Sequence, residues 1–424
     1  MRCHVFECLG QRFIYDDENR KIIKILWDGE KADNEIVDEY VRKRDVPKKN
    51  IVDGVKFDIC NRLIINVTDS CNMRCKYCYA NEGDYNCNHH GRIKRETIDN
   101  IVNKIYSIFP EGVKVVQFFG GEPLLEKTNM SYFHDKLCKK CRQLGINEPE
   151  FVMVTNGTLI YDSDNIDFIK ENLDSVTISL DGTQEVHDYN RIMKDGSGSY
   201  ERVINNILKL KEEAKNMRIG TETTITKKHL EQNDIKSLEE IIGLDLDFCA
   251  YSPAFDVDGR RTSMADNSES EISEYMRKWF ERDFELRPRV LKNIKRLLKS
   301  NSENLCGAAC EDIAIDVLGN IYPCFMFIGK NEYKIGNINT DNIHILKFNL
   351  ANIKNDIQDK VCNIEDCEDC WMKNLCSISY GHCIGARLMQ SGDIKKVNKL
   401  FCDISKISAE EALKCIVKDA CIPK

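Results

Sequence analysis

The sequence predicts an α/β protein: a partial barrel of six β/α repeats, with a small β-rich module before it and a cysteine-rich domain after it. Three observations carry that prediction. Between about residues 61 and 255, six apolar strand-like runs alternate with helix-like segments, and neighbouring parallel strands need such helical crossovers. The first 50 residues instead alternate apolar and polar positions around short turns. Residues 305–424 hold 11 of the chain's 21 cysteines.

A chain of 424 residues suffices for two or three domains and a sizeable core. Its 42% apolar and 31% charged residues are ordinary for a soluble globular protein. With 61 basic and 69 acidic residues the net charge is −8, which argues against a broad nucleic-acid-binding face. Residues 1–10 lack the apolar core of a signal peptide, and no apolar run approaches 18 residues, so neither a membrane span nor export is expected. A cytoplasmic location follows as the expectation. In that reducing compartment clustered cysteines point to metal or cluster ligation rather than to disulfides. Cys3, Cys8, Cys60, Cys138, Cys141 and Cys249 stand apart from the clusters and read as small core residues.

Taken in order, residues 4–8 and 12–15 flank Leu9-Gly10-Gln11 as a β-hairpin, 21–26 reads as a further strand and 34–44 as a short helix. This module spans 1–58. The barrel, 59–265, takes strands at 63–67, 113–119, 151–155, 175–180, 219–225 and 245–251, with helices at 97–109, 131–144, 200–214 and 237–242. A closed eight-fold barrel needs two more repeats, so an open one fits. Residues 266–304 read as a charged helical linker. From 305 to 424 the chain looks short-stranded and loop-rich, with too little apolar periodicity to cohere without metal centres.

The first dense cysteine group is Cys71-Asn72-Met73-Arg74-Cys75-Lys76-Tyr77-Cys78, directly after the first barrel strand. Three thiolates on one loop hold three irons of a cubane and leave the fourth iron open, as chemistry on a bound molecule requires. Zinc is the alternative, but structural zinc takes four ligands in paired units, and His89 and His90 lie well beyond Cys78. The spacing C-x3-C-x-aromatic-C resembles the radical S-adenosylmethionine (SAM) superfamily, and the resemblance extends over about 61–255. It implies a [4Fe–4S] cluster on Cys71, Cys75 and Cys78 that reduces SAM to methionine and a 5′-deoxyadenosyl radical.

Further motifs fall where strands end, the place parallel β/α folds reserve for their sites. Gly120-Gly121-Glu122-Pro123 resembles the family segment that receives the amino group of SAM, with glycines allowing close approach and Glu122 facing the ammonium. By the same resemblance Ser179 and Arg191 contact the ribose or carboxylate, Asp181 lies in the Ser179–Gly182 turn of that site, and Tyr77 lines the adenosyl side. Thr155-Asn156-Gly157 closes another strand in a similar way.

The second group resembles the SPASM extension, which carries auxiliary clusters in radical SAM enzymes that modify peptides. Cys306, Gly319 and Cys324 match its beginning, and Cys367, Cys370 and Cys376 match its C-x2-C-x5-C run. The next cysteine departs from the pattern: Tyr380 stands at the expected place and Cys383 follows. By position, auxiliary cluster I takes Cys306, Cys310, Cys324 and Cys383, with Cys362 as the competing ligand. Auxiliary cluster II takes Cys367, Cys370, Cys376 and Cys402. Two structural zinc sites are the plainer alternative. Cys87 reads as either a reactive thiol or a surface residue, and no role is assigned to Cys415 or Cys421.

The resemblance thus implies three [4Fe–4S] clusters, SAM, and a one-electron reductant such as flavodoxin or ferredoxin. The implied substrate is a ribosomally made precursor peptide. Thioether formation from a cysteine leads; formylglycine formation as in anaerobic sulfatase maturases, and carbon–carbon crosslinking, are the alternatives. Sulfatase maturases carry an aspartate base directly after the cysteine matching Cys324, whereas this chain has Phe325. The N-terminal hairpin resembles part of a leader-binding module, which captures peptides by strand addition; a supporting cap is the equal alternative. An iron–sulfur electron carrier or sensor is the non-enzymatic reading, but it has no need of Glu122, Ser179 and Arg191 near strand ends.

Overall fold

The computed structural model describes residues 2–26, 31–44, 58–85, 91–256, 259–287, 306–309, 311–362, 364–376 and 383–421. The chain forms two compact units, each assembled from separated stretches: Val55–Ser263 with Gly307–Asp359, and Met1–Gly54 with Met264–Cys306 and Lys360–Lys424. That division cuts across the consecutive domains expected from chain order.

Residues near the N-terminus form an antiparallel sheet of β1 (Cys3–Cys8), β2 (Gln11–Asp16) and β3 (Lys21–Lys24), followed by helix α1 (Asp33–Lys43). Leu9 and Gly10 both take positive φ, 53° and 68°, the backbone that a two-residue hairpin turn requires. Alternation then sorts the side chains. Cys3, Val5 and Ile14 pack with Ile36 and Val37 of α1, while Phe6, Phe13 and Tyr15 pack on the other face with Met372 and Leu375.

The barrel unit runs β4 (Ile59–Thr68), α2 (Arg95–Ile108), β5 (Gly112–Gly120), α3 (Lys127–Leu144), β6 (Glu150–Thr155), α4 (Ser163–Asn172), β7 (Ser175–Ser179), α5 (Gln184–Asn190), α6 (Tyr200–Glu213), β8 (Arg218–Ile225), α7 (Lys227–Glu231), α8 (Lys236–Gly243) and β9 (Phe248–Pro253). Strands β4 to β9 pair in parallel and in chain order. Helix α2 shows why: Ile98, Ile101, Val102 and Ile105 recur on one face and are all buried. The register then separates two faces of the sheet. Val116, Phe118, Met153, Val176 and Ile178 are buried on the helix side, where Phe118 meets Phe133 of α3 at 5.8 Å. Phe119, Thr177, Ser179 and Glu222 share the opposite face. Helix α4 occupies a stretch where the sequence reading placed no element; Asp162 caps it by accepting from Asp164 N.

After α9 (Glu269–Leu286), strands β10 (Asp312–Ile315), β11 (Asn320–Tyr322) and β12 (Gly336–Asn337) extend the same sheet, β10 lying parallel on the outer edge of β4. A strand from the cysteine-rich stretch therefore satisfies the backbone groups that β4 would leave open. The order β12-β11-β10-β4-β5-β6-β7-β8-β9 leaves the sheet unclosed.

Helices α10 (Ile343–Cys362), α11 (Glu365–Glu368), α12 (Ile384–Ser391) and α13 (Lys399–Cys421) make the C-terminal stretch far more helical than expected. Buried polar residues hid the pattern: in α13, Ser405 and Glu411 are buried along with Phe401, Ile404, Leu413 and Val417. Arg277 of α9 reaches Glu410 and Glu411 of α13 at 2.7 and 2.8 Å. Among the described residues no helix is long and apolar enough to cross a membrane.

Candidate active site

Cys71, Cys75 and Cys78 lie half-buried on the loop that leaves β4. Neighbouring backbone fastens that loop. Gly121 N donates to Thr68 O at 2.8 Å, Glu122 N to Ser70 O at 2.9 Å, Arg74 N to Ile192 O at 2.7 Å and Lys76 N to Asn190 O at 2.9 Å. The approach is so close that a Cβ at position 121 would stand 2.2 Å from Ser70 O, and only glycine fits. The sulfurs also receive donors: Met73 N to Cys71 Sγ at 3.4 Å, and Glu82 N to Cys78 Sγ at 3.3 Å.

Burial pushes the Cys71 thiol up to about 12 and those of Cys75 and Cys78 upward too, and neighbouring thiolates add to the effect at Cys71 and Cys75. Three thiols facing one another in such a loop ionise together only when a cation compensates them. Among the described residues no three donors are spaced for a single metal ion. Each iron of a cubane takes one thiolate, so three cysteines on one loop fit a [4Fe–4S] cluster with one iron left open. Cys87, His89 and His90 lie outside the described residues.

Around the loop stand the strand-end residues. Glu122 is fully buried; it accepts from Thr155 Oγ1 at 2.7 Å, Asn156 N at 2.8 Å and Leu124 N at 3.1 Å. Burial nevertheless raises its pKa to about 7. Asp181 is a buried hub: Tyr77 Oη donates to it at 2.7 Å, Thr224 N at 3.1 Å, and Arg191 Nε lies 3.1 Å away. Arg191 in turn sits over the Tyr77 ring, 5.2 Å from its centroid. Ser179, half-buried at the end of β7, makes no side-chain hydrogen bond with a described residue.

Sequence reasoning missed the support beneath these groups. His187 Nδ1 accepts from Asp181 N at 3.2 Å, so its Nε2–H donates to Ser199 Oγ, whose hydroxyl in turn donates to Arg191 O at 2.9 Å. His229 donates from Nε2 to Asp181 O at 2.9 Å and accepts at Nδ1 from Thr226 N. Asn156 bridges to the loop through Asn72 Oδ1 at 2.8 Å. The motif Thr155-Asn156-Gly157 was the only signal for it.

Of the second group, Cys402 lies near Cys367 and Cys370, whose charges help burial lift its thiol to about 11. Cys370 and Cys376 pack on the N-terminal sheet's core. Between them Trp371 stacks on His4 at 4.2 Å, and Asn374 donates from its backbone N to Asp17 Oδ2 and from Nδ2 to Asp17 O, both at 2.9 Å. Cys383 caps α12, its Sγ accepting from Ala386 N at 3.4 Å, and the charge of Arg387 bears on both Cys383 and Cys402. Cys310 is outside the described residues, as is the side chain of Cys362. Cys306 and Cys383 belong to one unit and Cys324 to the other.

The Radical SAM superfamily signature matches residues 65–234. A cysteine-type anaerobic sulfatase-maturating enzyme of Clostridium novyi (strain NT) is 27% identical over 74% of this chain and 86% of its own. In fold the chain is similar to native anSMEcpe with bound AdoMet, with a TM-score of 0.68 and 20% identity over 85% of this chain and 98% of that one. It is similar also to Streptococcus suis SuiB bound to precursor peptide SuiA, with a TM-score of 0.54 and 15% identity over 94% and 98%. The chain therefore carries a Radical SAM superfamily domain over residues 65–234 and is similar over most of its length to an anaerobic sulfatase-maturating enzyme.

Proposed function

We propose that this enzyme forms Cys-derived thioether crosslinks in a ribosomally made precursor peptide, with a net loss of two hydrogens. The observation that carries the reading is Phe325. Its ring lies 5.0 Å from that of Phe119 and 6.1 Å from that of Tyr79, at the position after Cys324 where sulfatase maturases place an aspartate base. An aromatic ring takes no proton, so this position offers nothing to the base-assisted route.

When bound, a reduced [4Fe–4S] cluster on Cys71, Cys75 and Cys78 and its SAM supply the radical that removes hydrogen from the substrate. The chain's own residues hold and shield. The backbone of Gly120 and Gly121 would receive the SAM ammonium, on a segment that the buried Glu122 carboxylate holds to Thr155 and Asn156. Arg191, fixed by Asp181, pairs with the carboxylate; Ser179 offers its free hydroxyl to the ribose, and Tyr77 covers the adenosyl side. Cys306, Cys310, Cys324 and Cys383 would hold one auxiliary cluster, and Cys367, Cys370, Cys376 and Cys402 the other. A flavodoxin or ferredoxin supplies the electron. In the N-terminal sheet β3 pairs only with β2 among the described residues, which leaves an edge for a leader strand.

Cysteine oxidation to formylglycine is the second reading, favoured by the likeness to the Clostridium novyi enzyme. The test is anaerobic incubation of reconstituted enzyme, SAM and reductant with peptides encoded beside it, followed by mass spectrometry. Loss of two hydrogens with the sulfur retained supports the thioether; loss of two hydrogens together with replacement of the cysteine sulfur by oxygen establishes the second reading instead.

A further inference from the structure

The outer surface of the cysteine loop carries charge opposite to that of the chain as a whole. Arg74 and Lys76 stand on either side of Cys75. Their backbone N–H groups donate to Ile192 O and Asn190 O at 2.7 and 2.9 Å, and Lys194 N donates to Asn72 O at 3.4 Å. These bonds hold residues 190–194 on the loop, so side chains from both segments share one surface. Lys76 Nζ lies over the ring of Tyr189 in α5, 3.1 Å from its centroid, and Lys228 Nζ of α7 approaches the same ring at 5.3 Å. Arg74 and Lys194 share Glu82, at 3.1 and 3.6 Å. Lys228 pairs with Glu185 at 3.3 Å, and Gln232 donates to that same carboxylate.

These charges do not cancel. Arg74, Lys76, Lys194 and Lys228 meet only Glu82 and Glu185, and Lys76 has no carboxylate partner among the described residues. Asp195, beyond Lys194, turns back to accept from Ser197 N and Oγ at 2.9 and 2.6 Å. Tyr189 remains 39% exposed between the two lysines, so ring and aliphatic stems make an apolar centre inside a cationic rim. The chain carries a net charge of −8, so an acidic protein is repelled by the molecule as a whole and drawn to this patch. A small, charge-steered surface is what short-lived redox encounters use. A partner seated here rests on the loop of Cys71, Cys75 and Cys78 itself.

We infer that Arg74, Lys76, Tyr189, Lys194 and Lys228 form the docking surface for an acidic one-electron carrier protein, which loses the electron that the cluster gains. This rests on the reading of the three thiols as ligands of a reducible cluster.

A purified acidic flavodoxin and a purified acidic ferredoxin are the probes. Binding of their oxidised forms to the full-length, anaerobically reconstituted enzyme is measured by calorimetry at about 50 and about 300 mM salt. Formation of 5′-deoxyadenosine is measured with each reduced carrier and, separately, with dithionite, which needs no docking surface. Wild-type affinity is expected to fall about tenfold over that salt range. Lys194→Glu/Lys228→Glu, which leaves the cysteine loop untouched, is expected to weaken carrier binding about tenfold at low salt and to slow carrier-driven turnover in proportion. Its dithionite-driven turnover and iron content should match wild type. Lys76→Gln is expected to weaken binding about threefold. Wild type that binds neither carrier, wild-type affinity indifferent to salt, or wild-type binding by the double variant overturns the inference. Equal loss of carrier-driven and dithionite-driven turnover in both variants, with loss of iron, overturns it too, because the lysines then serve the loop's own folding. If wild type makes no 5′-deoxyadenosine with dithionite, the radical reading fails, while the binding ratios still decide the docking surface.

Discussion

The loop of Cys71, Cys75 and Cys78 is fastened by the strand it leaves and by the adjacent strand end, through short backbone hydrogen bonds and a glycine contact. The stretch from Cys367 to Cys376 is fastened by a hairpin 357 residues earlier in the chain, through Trp371 on His4 and Asn374 on Asp17. The difference is one of what must fold first. The barrel prepares the first loop by itself, because parallel strand ends fix where the loop begins. The second stretch depends on a distant element and on its own ligands for cohesion. The N-terminal sheet, expected as either a peptide arm or a cap, is thus at least a support for the second cysteine group.

The largest expected effect separates the two regions outright. Cys71/Cys75/Cys78→Ala should abolish 5′-deoxyadenosine formation while iron falls from about twelve to about eight atoms per chain, measured after anaerobic reconstitution. Retention of all the iron would mean that these thiols hold no cluster, and loss of all of it would mean that the two regions do not bind clusters independently. Next comes Gly121→Ala. The added methyl collides with the Ser70 backbone, so SAM cleavage is expected to fall about 100-fold with selective loss of the first cluster's iron. Normal activity would show that this close approach does not set the loop.

A smaller effect is expected from Trp371→Ala, which removes the stack on His4. It should cost about 2 kcal/mol and loosen the second group, lowering its iron while SAM cleavage by the first persists. Equal loss from both groups would erase the contrast.

The smallest effect is in pH, where the regions should respond with opposite sign. Burial lowers the pKa of His187 to about 4 from 6.5, so its contribution is complete above pH 6.5 and is lost as pH falls toward 4. Asp17 is raised by burial to about 6 from 3.8; its contribution is complete below pH 3.8 and is lost as pH rises through 6. Hydrogen exchange across this range should show α5 loosening at the acid end and the β1–β2 hairpin at the neutral end. Parallel responses would contradict one of the two burials. His187→Gln and Asp17→Asn should each flatten the corresponding slope.

The sequence carried the six parallel strands because apolar runs of the right length recur between amphipathic helices, and that periodicity is local. It carried the cysteine loop and the Gly120–Pro123 segment for a similar reason, since each motif is one short stretch attached to one strand end. It did not reveal that β10 joins the edge of β4, nor that helices α10 and α13 fill the cysteine-rich stretch. The first depends on a pairing between residues 312–315 and 62–65, and the second on polar side chains that find buried partners.

The site divides along the same line. Residue types and spacing determined which thiols gather on the first loop, since the spacing is covalent. Tertiary structure alone decided that Asp181 serves as a hub beneath Tyr77 and Arg191 and that two buried histidines hold it. Those relations join strands, helices and loops far apart in the chain, and a side chain's partners across a fold leave no periodicity in the sequence.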